Sequence, residues 1–179
     1  MGWSMIPLFA VAVAFTFAAH EGAHWAAGEM LGLDMYLRVN SAGLARGVYQ
    51  SDVQAMLVTA AGPAFTILQG LIAFACIQWW HAASAFPFLL SSFLMRALAA
   101  GVSGGTPNDE ARLSLWLGFG KWALFAAVLG FLLVLLVLAI RRLGLSWGHV
   151  MMGTVYWVAF ASLVILSEPF LPTYNPYAT

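Results

Sequence analysis

Residues 6–33 form an almost unbroken apolar run, yet inside it stands His20-Glu21-Gly22-Ala23-His24, two imidazoles and a carboxylate in close succession. A segment of this length is fit to cross a bilayer, whose hydrocarbon a helix spans with about 17–25 mostly apolar residues. Ionisable groups at that depth are costly and are presumed functional. The chain must therefore fold so that three polar side chains find compensation within an apolar span.

Further apolar runs follow the first, 6–32, at 55–80, 85–102, 119–140 and 149–168, which predicts about five transmembrane helices and an all-α, polytopic membrane fold. With 63% hydrophobic and 8% charged residues the chain lies far from the soluble mix. No polar block is large enough for a separate soluble core, so residues 1–179 are expected to form one transmembrane domain. Seven Lys plus Arg balance seven Asp plus Glu, and a net charge of zero gives no electrostatic case for nucleic acid. The expected surroundings are the lipid bilayer and partners inside it. The single cysteine, Cys76, excludes an internal disulfide and reads as a small buried hydrophobe. No Lys or Arg precedes the first run, and the myristoylation pattern after Gly2 is incomplete, so neither a cleaved leader nor a lipid anchor is expected.

Two connections carry information. Residues 34–54 alternate at Tyr36-Leu37-Arg38-Val39 before a turn-like Asn40-Ser41-Ala42-Gly43, which predicts a short hairpin or re-entrant loop. It is either an interfacial connector or an exposed edge strand able to pair with an extended substrate. The third apolar run is short and passes into GVSGGTPNDE, whose Gly and Pro residues predict a broken helix. Broken backbone at membrane depth must be covered by protein or line a wet cavity. Gly101, Gly104 and Gly105 are candidates for close approach to a substrate, or simply for a turn. The tail, 169–179, reads as a Pro-broken extension.

His20 and His24 stand four residues apart, so on a helix both rings point to one side and can grip one ion. Glu21 is rotated by about 100° from His20 and falls beside that ion. Two imidazole ligands with an adjacent carboxylate able to take a proton from water are the arrangement of zinc hydrolases. Zn2+ is thus the expected cofactor, one per chain. A third ligand must come from elsewhere. Glu29 lies on the opposite helix face, and His81 and His149 fall at span ends where a polar aromatic group meets the interface. Asp109, after the broken third helix, is the leading candidate and Glu110 the alternative. Either could instead complement the amides of a helix start at Pro107-Asn108-Asp109-Glu110.

HEGAH in the first span, AAGP at Ala60 to Pro63 in the second, and TPNDE at Thr106 to Glu110 after the third resemble, in order and approximate spacing, the three core motifs of the site-2 protease family of intramembrane zinc metalloproteases. The resemblance covers roughly residues 6–118 and implies zinc ligands His20, His24 and Asp109, a general base Glu21, and substrate-positioning roles for Gly62, Pro63, Thr66 and Asn108. It further implies a peptide bond in or beside a transmembrane protein substrate as the target. Many members carry Asn where this chain has Thr66, and Gly where it has Glu110. No PDZ-like insert is present, so the likeness is to a minimal member. Two other readings accommodate the same residues: a structural, sensory or transport metal site without hydrolysis, and a zinc hydrolase of lipid amides.

Overall fold

The computed structural model describes residues 5–178; the segment around Gly2, which bears the leader and anchor expectations, lies outside the described residues. In chain order come helix α1 (Ile6–Met30), strands β1 (Met35–Leu37) and β2 (Ala42–Leu44), and helices α2 (Asp52–Trp80), α3 (Phe86–Val102), α4 (Asp109–Trp116), α5 (Ala123–Leu143) and α6 (Trp147–Ser167). Five of these helices, all but α4, are long and apolar enough to cross a membrane, α3 together with a 3₁₀ turn at Ala83–Ala85. This is the all-α architecture of a multi-pass membrane protein.

Local chemistry sets the boundaries. Ser51 accepts the amide proton of Gln54 and starts α2 at Asp52, upstream of the expected residue 55. Helix α5 begins at Ala123, later than the expected residue 119, because Gly118 and Gly120 both take positive φ and turn the chain out of α4. Helix α1 ends at Met30, where Leu33 N–H returns to the Gly28 carbonyl at 3.0 Å.

Helix α1 packs against α2, α3 and α6, while α2 and α3 both pack on α5. One buried cluster joins Phe9, Ile77, Phe86, Leu89 and Leu132, and a second joins Val13, Phe17, Met95 and Trp157. The last two spans, which carry no motif, thus brace the three that do. Large apolar side chains such as Leu68, Ile72, Val134, Val155 and Leu163 face outward, an arrangement that suits a bilayer and would be a liability in water.

Strands β1 and β2 pair antiparallel with Met35 opposite Leu44 and Leu37 opposite Ala42, as the hairpin reading expected. The turn is Arg38 to Ser41, closed by Arg38 N–H donating to the Ser41 carbonyl at 2.8 Å, so Ala42 and Gly43 belong to the strand and not to the turn. The outer edge of β1 is closed: Leu37 and Tyr174 exchange both backbone hydrogen bonds at 2.9 Å. The Pro-broken tail is fastened to the hairpin and to α1. Tyr177 donates its hydroxyl to Glu29 at 2.7 Å, Arg46 reaches the Tyr177 carbonyl, and Tyr174 stacks edge-on against Trp25. The bond to Glu29 pushes the Tyr177 phenol up to about 12. Among the described residues, only β2 keeps an unpaired edge, where the backbone of Ala42 and Leu44 points away from β1.

Candidate metal centre

His20 and His24 lie one turn apart on α1, both buried, with Nε2 atoms 3.2 Å apart. Asp109, the first residue of α4, brings Oδ2 to 3.3 Å from His20 Nε2 and 3.2 Å from His24 Nε2. The three atoms form a nearly equilateral triangle. Segments far apart in sequence meet here because α3 stops at Val102 and the irregular segment 103–108 leads the chain so that Asp109, at the start of α4, lies against the histidines of α1.

The other ring nitrogens fix the chemistry of this triangle. His24 Nδ1 sits 2.7 Å from the Val58 carbonyl, which can only accept, so Nδ1 carries the proton. His20 Nδ1 sits 3.0 Å from Thr66 Oγ1, and the Thr66 hydroxyl spends its own proton on the Gly62 carbonyl at 3.1 Å. Oγ1 can therefore accept from a protonated His20 Nδ1 at this shorter distance, whereas the Arg96 guanidinium, 3.4 Å from the same atom, can only donate to it in the other tautomer. With each ring neutral and protonated at Nδ1, both Nε2 lone pairs face each other and a carboxylate oxygen. Three converging acceptors repel unless a cation lies among them, and these three side chains can hold a metal ion.

Helix α2 shapes the floor of the site. A Cβ added at Gly62 would collide with the Nε2 of His24 and stand 2.6 Å from the Cε1 of His20; only glycine lets α2 pass under both imidazoles. Pro63, buried one residue on, cannot donate to the Thr59 carbonyl. In that loosened turn the Val58 carbonyl serves His24, and Thr59 Oγ1 accepts from Arg112 at 3.2 Å. The residues marked as substrate-positioning are thus next to the centre, but Gly62 and Thr66 touch the histidines themselves. No crowding marks Gly101, Gly104 or Gly105: a Cβ there would meet nothing closer than 3.7 Å.

Glu110, the alternative ligand, does not join the triangle. It is 1% exposed and accepts from Arg96 Nη1 at 2.9 Å. Arg96, itself 2% exposed in the middle of α3, brings Nη2 to 3.4 Å from His20 Nδ1. Nothing in the motif analysis singled out Arg96, although a lone arginine inside an apolar span is a signal of its own. Glu29, His81 and His149 stand away from the triangle. Glu29 accepts from the Met35 amide at 3.0 Å, His81 caps α2, and His149 forms a reciprocal cap with Ser146.

Glu21 is buried beside the triangle and lines two cavities. One, of about 220 Å³, is walled by Asn40, Ser41, Tyr49, Thr59 and Arg112. The other, of about 380 Å³, is walled by Phe17, Met95, Leu98, Val102 and Ile165, with Arg96 and Asn108 at its polar end. Asn108 Oδ1 is buried there without a hydrogen-bond partner among the described residues. Comparison with protein-family models, with curated proteins and with solved structures returned no match.

Proposed function

We propose that this chain is an intramembrane zinc peptidase that hydrolyses peptide bonds in or near transmembrane segments of other proteins. The observation that carries the reading is the meeting of His20, His24 and Asp109 with the Glu21 carboxylate beside two cavities. The likeness of HEGAH, AAGP and TPNDE to the site-2 protease motifs points the same way.

Zinc suits the donor set. Two neutral imidazoles and a carboxylate make the mixed N and O donor set that Zn2+ takes, and tetrahedral bonds of about 2.0 Å place ligand atoms about 3.3 Å apart, which matches the separations of 3.2 and 3.3 Å. Three protein ligands leave a fourth position open, as catalytic zinc sites do. When bound, the ion supplies Lewis acidity to a substrate carbonyl and to a water molecule.

The chain's own groups do the rest. Val58 and Thr66 hold the two rings in the ligand tautomer. Glu21 takes the proton of the attacking water and gives it to the leaving nitrogen, so that one water is consumed and a carboxylate and an amine are released. A substrate helix must unwind to expose its carbonyl, and the free edge of β2, adjoining the polar cavity at Ala42, offers hydrogen bonds to the extended stretch.

The test is Glu21→Gln in purified protein, with zinc content measured beside cleavage of transmembrane peptides. Retained zinc with lost cleavage is expected. Cleavage that survives the substitution overturns the assignment of the base. Zinc binding by the unaltered chain without cleavage of any such peptide favours a structural or sensory metal site.

A further inference from the structure

The two cavities beside Glu21 differ in character and meet at three residues, Glu21, Asn40 and Asp109, which line both. On one side the walls are carboxamide, hydroxyl, phenol and guanidinium: Asn40, Ser41, Tyr49 and Arg112. On the other they are Phe17, Met95, Leu98, Val102 and Ile165, of which Leu98, Val102 and Ile165 are exposed toward the outside of the helix bundle. A chain crossing the centre therefore passes from an apolar environment to a polar one within the length of a few residues.

Each flank selects by desolvation. A polar side chain lodged against Phe17, Met95, Leu98, Val102 and Ile165, away from the Arg96 and Asn108 end of the cavity, would lose its water without finding partners. A bulky apolar side chain would gain from burial against the same walls. At the junction stands Asn40, in the hairpin turn, and among the described residues no hydrogen bond engages its carboxamide. A carboxamide both donates and accepts, which matches a peptide unit in an extended chain.

We infer that the substrate is a protein segment at an apolar-to-polar boundary, with a bulky apolar residue on one flank of the scissile bond and polar residues on the other, and that Asn40 holds its backbone across the junction. The inference rests on the peptidase reading and adds the sequence context of the cut. The apolar cavity receives the end of a membrane-spanning helix, and the polar cavity receives the juxtamembrane residues that follow it.

The experiment uses the zinc-loaded full chain and a set of transmembrane peptides of identical composition in which the boundary between an apolar run and a Ser/Asn-rich run is stepped along the sequence. Mass spectrometry locates the cut bond. The cut is expected to follow the boundary, staying within about two residues of it. Cuts in the middle of the apolar run, or at a position that ignores the boundary, overturn the inference and leave the peptidase reading standing. Binding of the same labelled peptides to the Glu21→Gln protein, read by fluorescence anisotropy, is independent of cleavage. There, loss of the boundary is expected to weaken binding at least tenfold, and Asn40→Ala to weaken it for every boundary peptide. Boundary-dependent binding without cleavage by the unaltered chain supports the cleft and counts against the peptidase. Binding that is indifferent to the boundary overturns the inference. Ala99→Trp, on the wall of the apolar cavity, is expected to shift the flanking preference from Phe toward Ala by at least tenfold with zinc content unchanged; an unshifted preference removes that cavity from the specificity.

Discussion

Arg96 and Glu110 form an ion pair at 2.9 Å with both side chains 2% exposed, linking the middle of α3 to the first turn of α4. The pair lies next in sequence to Asp109 and next in space to His20, so it ties the segment that carries Asp109 to the helix that carries His20. Among the described residues Arg96 Nε and Glu110 Oε2 lack partners, which makes the pair expensive to bury and its value one of registry more than of stability.

Breaking the pair from one side strands a buried charge. Arg96→Met or Glu110→Leu alone is expected to destabilise the protein by about 3–5 kcal/mol, whereas the double substitution is expected to recover most of that loss. Thermal unfolding in detergent measures the cycle. At saturating zinc the double variant is expected to keep its metal, while Asp109→Ala loses it; the reverse result would make Glu110 the ligand.

Gly62→Ala separates local propensity from packing. In a helix interior the change is worth about 1 kcal/mol in favour of alanine, so a stabilised protein is the outcome if the position is merely helical. The Cβ instead meets both imidazoles. Zinc binding is expected to fall sharply while circular dichroism still reports a helical chain.

Thr66→Val removes the acceptor of the His20 Nδ1 proton and keeps the shape of the side chain. Groups that orient a ligand in this way are typically worth about 10–100-fold in metal affinity. Competition with a chromophoric chelator is expected to show a loss in that range, with overall stability little changed. An unchanged affinity would mean that His20 is held by packing alone.

The tail is expected to govern exchange at the edge of the hairpin. Tyr177→Phe removes the hydrogen bond to Glu29 and loosens the segment whose Tyr174 pairs with Leu37. Faster hydrogen exchange at the Leu37 amide, with that of the α1 interior unchanged, is the expected result.

Much of the fold was written in the chain as hydropathy. Five apolar runs became five long helices, since burying a helix of that composition in hydrocarbon needs little from its neighbours. The pair His20 and His24 was legible because four residues on a helix return to one face, and the break before Asp109 because Gly104, Gly105 and Pro107 cluster within a few residues, unlike the lone Pro63 that α2 carries in its interior. What only the tertiary structure decided were the meetings between elements. It separated Asp109, the leading candidate in sequence, from its neighbour Glu110, the alternative, by turning one to the imidazoles and the other to Arg96. It brought the Val58 carbonyl and Thr66 to the two Nδ1 atoms, closed the β1 edge with Tyr174, and set Ile165 of a motif-free helix in the wall of the site. Hydropathy and helical period are properties of a segment and can be read along it. The partner of a polar atom depends on which segments pack together, and that is fixed only when the helices assemble.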